Sequence, residues 1–155
     1  EFQRGYVWNR NQVRGLMDSL YRSHPVGSLL VWVTNVENAD VKGDVELPPG
    51  TVRLLLDGQQ RITALFQSLM LQTPVKTQNV RKQPIEGWMY CDISKALDST
   101  IDREEAIRML PTDRIVKNFR GEILEDYSTP EKEYAAHLFP LNKVFDYDDW
   151  YMGYQ

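Results

Sequence analysis

Apolar and polar positions follow different rhythms along the chain, and these rhythms set the expected elements. Val13, Leu16, Met17, Leu20 and Tyr21 recur at the spacing of a single helical face, which predicts a helix from about Gln12 to Ser23. Asn11 stands where its N-cap belongs, and Pro25 and Gly27 stop it. The run Ser28–Val36, SLLVWVTNV, is rich in β-branched and aromatic residues and too apolar for an exposed edge, so it predicts a buried strand. Residues 37–50 are polar and turn-rich and predict a loop. A second strand, Thr51–Leu56, runs straight into Asp57-Gly58. From Gln59 or Gln60 a helix continues to about Leu71, with Ile62, Leu65, Phe66, Leu69 and Met70 on one face.

Beyond this the pattern weakens. Pro74 to Pro84 reads as a polar, basic loop, Trp88–Ile93 as a third strand and Asp102–Leu110 as a short helix. Asp113–Phe119 and Ile123–Leu124 predict a hairpin about Arg120-Gly121, and Pro130–Leu138 a last helix. The order helix, strand, strand, helix, then a strand and helices predicts a mixed α+β domain, a small sheet with flanking helices, rather than a doubly wound parallel sheet.

Composition narrows the classes. The 155 residues are enough for one domain with a real core, and 42% hydrophobic with 26% charged residues is ordinary for a globular protein. No apolar run approaches the roughly 18–20 residues of a membrane span, and EFQRGYVWNR has no signal-peptide core, so a cytoplasmic protein without a membrane role is expected. A single cysteine, Cys91, excludes an internal disulfide and a cysteine-cluster zinc site. The net charge is −4, yet residues 1–83 carry ten Lys/Arg against seven Asp/Glu while residues 84–155 carry eight against fifteen. An anionic ligand is therefore favoured near the first half, although no basic DNA-binding stripe is present. Both ends read as cut, which suggests a fragment of a longer protein.

The densest chemistry lies at Leu54–Ala64, LLLDGQQRITA. Gly58 lets the backbone turn sharply at the end of a strand, and the helix that follows presents unpaired amides and the positive end of its dipole. Arg61, one turn in, is placed for a bidentate bond to a phosphate oxygen, and Gln59 and Gln60 add neutral amides. This suits a nucleotide polyphosphate, without a Walker P-loop anywhere in the chain. A structural reading suits the same residues: Asp57-x-x-Gln60 is a capping box, Gly58 a turn residue and Arg61 a surface cation. Spacing by itself leaves both open. Arg4 and Arg10, flanking Tyr6 and Trp8, similarly suit either base stacking with phosphate pairing or a strand buried by its aromatics.

The block LLLDGQQRITALF is similar to the signature of the N-terminal domain of GmrSD-type, modification-dependent restriction enzymes and related phage-defence proteins. The opening FQRGYVWNRNQVRGLMDSLYRSHPVGSLLVW resembles that family's other signature, Gln-Arg-x-Tyr-x-Trp, a helix, then Pro-hydrophobic-Gly-Ser leading into a strand. The two blocks cover roughly residues 2–71; the hydrophobic-Pro pair that usually precedes the first is absent, and the resemblance fades after them. It implies a ParB/sulfiredoxin-like core and a nucleotide site made by Gln3, Arg4, Tyr6, Gly58, Gln59, Gln60, Arg61 and Thr63. Asp57 and Arg61 are then the catalytic candidates, Asp57 orienting water, holding a metal through water, or only capping the helix. The implied ligand is GTP or another nucleoside triphosphate with Mg²⁺. The implied partners are a nuclease domain outside this chain and, through the full-length protein, DNA. The alternative is a non-catalytic module that senses DNA or modified bases. His24 and His137, isolated from each other and from other ligands, make neither an HNH nuclease nor a zinc site, and Asp146, Asp148 and Asp149 suit a metal-binding carboxylate trio but are better read as a solvated acidic turn.

Overall fold

The computed structural model describes residues 6–35 and 50–155. Helix α1 (Arg10–Tyr21) begins two residues earlier than its periodicity predicts, because Asn9 rather than Asn11 is the cap. The Asn9 side chain accepts from the Gln12 amide at 3.0 Å while Gln12 Oε1 accepts from the Asn9 amide at 2.9 Å, a closed capping box. Val13, Leu16 and Met17 are buried as predicted, whereas Leu20 and Tyr21 at the helix end are exposed.

Strands β1 (Leu30–Asn35) and β2 (Thr51–Asp57) form an antiparallel two-stranded ribbon, with Trp32 opposite Leu54 and Val33 opposite Arg53. The expectation of a buried first strand is not met. Leu30, Val31, Trp32 and Val33 are all exposed, on both faces of the ribbon, because no other described strand pairs with it. The loop expected over 37–50 falls almost wholly outside the described residues.

Helix α2 (Gln59–Leu69) follows, then β3 (Val75–Gln78) and β4 (Pro84–Asp92). Helix α3 (Ile93–Leu97) and a 3₁₀ turn (Arg103–Ala106) lead to β5 (Ile107–Pro111). The expected helix over 102–110 is thus only a turn, and its second half is a strand. A hairpin of β6 (Ile115–Lys117) and β7 (Ile123–Asp126) turns about Arg120-Gly121 as predicted. Helix α4 (Pro130–Ala135) is shorter than expected, since Leu138–Pro140 forms β8; a 3₁₀ turn (Leu141–Lys143) and helix α5 (Asp148–Tyr154) complete the order. The architecture is α+β, built on small antiparallel sheets.

Strand β4 organises the main sheet. One edge pairs with β5, and the other pairs with β3 at its start and β8 at its end. Successive strand residues point to opposite faces, so Met89 enters a core with Val13, Leu16, Met17, Ala64, Val75 and Ile107. Tyr90, its neighbour, enters a second core with Leu110 and Leu138. The sheet is covered on both sides, by α1 and α2 on one and by the C-terminal elements on the other. Among the described residues, no helix is long and apolar enough to cross a membrane.

Candidate functional site

Strand β2 delivers Asp57 to the surface, and the chain then reverses at Gly58, whose φ of +92° is the left-handed conformation that favours glycine. A Cβ there would stand 2.3 Å from Leu29 Cδ2, so space as well as torsion demands glycine. Gly58 is the N-cap of α2, and no side chain caps the turn. The Asp57–Gln60 capping box that the spacing allows is therefore not formed. A left-handed glycine directs the strand into the helix, and both side chains are used elsewhere. The opening turn of α2 keeps the uncapped amides that an anion needs.

The glutamines and the arginine of the motif each grip a different piece of backbone. Gln59 Nε2 donates to Leu55 O at 2.7 Å and so ties the first residue of α2 back to strand β2. Gln60 Oε1 accepts from the Val7 amide at 2.9 Å, tying the N-terminal segment to α2. Arg61 donates from Nη1 to Val26 O and from Nη2 to Ser28 O, both at 2.6 Å, and from Nη2 to Asp57 Oδ2 at 3.3 Å. Its side chain is only 18% exposed. It is not the surface cation of the structural reading. The guanidinium lies against Gly27, where a Cβ would stand 2.5 Å from Nη1, and Gly27 meets it with φ +87°. Arg61 thus fastens the Pro25–Ser28 approach of β1 to the start of α2. Three of the five N–H donors an arginine carries are accounted for in this way.

Asp57 is the open member of the cluster, its side chain 72% exposed. Thr63 is half-buried within α2. Tyr6 packs partly against the core of α1 and α2, its hydroxyl buried without a hydrogen-bond partner of normal geometry, and burial pushes its pKa up to about 12. Gln3 and Arg4 lie outside the described residues. The structure therefore brings Asp57, Gly58, Gln59, Gln60 and Arg61 together at one turn, with the Val7 backbone beside them.

These contacts join the two stretches of sequence that carry the motifs: Gln60 holds the first through Val7, and Arg61 holds its far end through Val26 and Ser28. The model of the GmrSD restriction endonuclease N-terminal domain matches residues 1–149. The chain belongs to that family. An uncharacterized protein of Methanocaldococcus jannaschii is 29% identical over 163 residues, covering 97% of this chain and 27% of that protein. The chain thus spans about a quarter of the length of this curated relative. No solved structure matches. The GmrSD family match runs through the acidic half, well beyond the residues whose motifs are legible by eye.

Pattern reading missed the part played by Val26 and Ser28, since they act through carbonyl oxygens; the signal available was Gly27 between them, read only as a helix stop. His137 is not isolated as expected: its Nδ1 lies 2.6 Å from the Tyr154 hydroxyl, in the helix α5 that periodicity did not reveal. Asp148 and Asp149 stand in the first turn of α5, where they favour the helix dipole. Among the described residues, no group of three or more His, Cys, Asp or Glu could hold a metal ion.

Proposed function

We propose that this GmrSD-family domain binds a nucleoside triphosphate at the opening turn of α2 and hydrolyses it to regulate a DNA-cleaving domain of a restriction, phage-defence system. The observation that carries the reading is the uncapped N-terminus of α2, held open at Gly58 with Asp57 exposed beside it. Backbone amides there suit phosphate oxygens, and the dipole favours their charge. Gln59 and Gln60 hold strand and N-terminal segment in place around the turn. In this reading Arg61 acts by fixing the Pro25–Ser28 loop beside the turn through Val26 O and Ser28 O. Mg²⁺ fits as a companion of the triphosphate, because that ion commonly sits on substrate phosphates with one or two carboxylates, and Asp57 supplies one. Bound in this way it would neutralise phosphate charge. Asp57 would also orient the attacking water.

Thermal shift with GTP, ATP and non-hydrolysable analogues, each with Mg²⁺, tests binding, and phosphate release tests turnover. A triphosphate should raise the melting temperature, since it binds only the native state. Stabilisation by duplex DNA with none by any nucleotide would replace this reading with that of a DNA-sensing module.

A further inference from the structure

The ribbon of β1 and β2 is half of a sheet. Two strands alone are marginal in water, and stable sheets add strands or bury a face. Among the described residues β1 pairs only with β2, so the outer edge of Leu30–Asn35 offers open backbone donors and acceptors. Edges of this kind ordinarily carry a lysine, a proline or an inward charge that discourages further pairing. LVWVTN carries none of these. Its register shift, between Leu30 and Val31, lies at one end and leaves Val31–Asn35 regular. Strand β2 differs, since it carries Arg53 and Asp57.

Burial points the same way. Leu29, Leu30, Val31, Trp32 and Val33 are between 43% and 58% exposed, and Leu56 of β2 is exposed beside them. Together they leave on the order of 600 Å² of apolar surface in water, against the ~800 Å² that each partner contributes to a standard interface. Patches of that size mark interaction sites. Alternate strand residues point to opposite faces, so this surface lies on both sides of the ribbon. A partner laid on one face would leave the other in water, whereas an added strand packs its side chains beside those of β1 on both. That strand must itself be uncharged and apolar on both faces. The β1 of a second copy meets the requirement. Paired antiparallel with itself, LVWVTN sets no charge against a like charge, and full overlap places Trp32 opposite Val33 of the second copy.

We infer that two copies of this chain associate through their β1 strands, antiparallel about a two-fold axis, into one continuous four-stranded sheet. Because Leu30 is the register partner of Asp57, the two α2 turns then stand at opposite ends of the shared seam. The association does not depend on nucleotide binding. Sedimentation equilibrium of the 155-residue chain under reducing conditions should show a monomer–dimer equilibrium that stops at two copies. Hydrogen exchange should show the Leu30–Asn35 amides gaining protection as protein concentration rises, while those of the β6–β7 hairpin do not. Val31→Lys/Val33→Lys puts charge into the seam and should weaken association by about tenfold or more. Both side chains are exposed in the monomer, so the dilute variant should melt with the dilute parent. Phe66→Lys/Met70→Lys removes comparably exposed apolar groups from α2 and should leave the dimer intact. A chain that stays monomeric at about 100 μM, where a standard-sized interface is populated, overturns the inference. So does a dimer weakened by the α2 pair and not by the β1 pair, β1 exchange that ignores concentration, or growth beyond two copies.

Discussion

Arg61 shows how one side chain can satisfy a motif for a reason other than the one its spacing suggests. A mid-motif arginine after a glycine turn reads as a phosphate ligand or a surface cation, and the structure gives it two backbone carbonyls and an aspartate. Lysine at this position keeps the charge but not the planar fork that reaches Val26 and Ser28 together. Arg61→Lys should therefore destabilise the fold by about 1–3 kcal/mol, the cost of leaving such acceptors poorly paired, measured by urea denaturation. An unchanged midpoint would mean that these contacts contribute nothing net. Which residues cluster at the turn was legible in the sequence, since five of them are consecutive. What each one grips was not, because backbone acceptors leave no residue type to recognise. Asn9 and Asn11 make the same point: both can cap, and only Asn9 has Gln12 three residues on to return the bond.

Among elements, α2 separates pattern from packing most clearly. The apolar positions predict a face of Ile62, Leu65, Phe66, Leu69 and Met70, yet Ala64 and Ser68 are the fully buried residues. Ile62, Phe66 and Met70, one turn apart from each other, form an exposed row. A small residue lets α2 approach α1 and the sheet closely, and hydrophobicity alone cannot signal that. Ala64→Leu should cost about 1–3 kcal/mol by overpacking the first core, whereas Phe66→Ser should stay within about 1 kcal/mol. Calorimetric melting of both variants checks the order, and a larger loss at Phe66 would put the helix the other way round. Strand β1 misled similarly, because its composition reports a wish for burial and only its neighbours decide whether burial occurs. Strand β3 was missed since four residues alternating Val75, Lys76, Thr77, Gln78 are too short a period-two signal beside a polar loop, although Val75 and Thr77 are buried. The β6–β7 hairpin, with Gly121 in its turn, was readable.

On the scale of the whole molecule, the two cores either side of β4 differ in what polar groups they contain. The second holds Glu133, only 4% exposed, which accepts from the Tyr90 hydroxyl at 2.5 Å and has Arg114 Nε at 3.7 Å. Lys143 and Asp149 line the cavity beside it. Burial raises the Glu133 pKa above its ordinary 4.5, and the opposing effects of Tyr90 and Arg114 do not restore it. The native state then holds this proton more tightly than the unfolded chain. Its contribution to stability is fully present below pH 4.5 and is lost as pH rises through the raised value. Asp126 acts oppositely and lower on the scale. Its bonds to Lys132 and Ser128 hold it at about 2 against an ordinary 3.8, so its contribution is present above 3.8 and is lost as pH falls toward 2. The two windows do not overlap, so a variant can report on one of them. Glu133→Gln keeps an acceptor for Tyr90 and removes the titration. Its melting temperature should match the parent near pH 4 and exceed it progressively above pH 4.5, levelling once the parent's Glu133 is fully ionised. A variant that instead melts lower than the parent at neutral pH would show that the pairing with Arg114 and Tyr90 outweighs burial, and that the carboxylate is stabilised in its charged form.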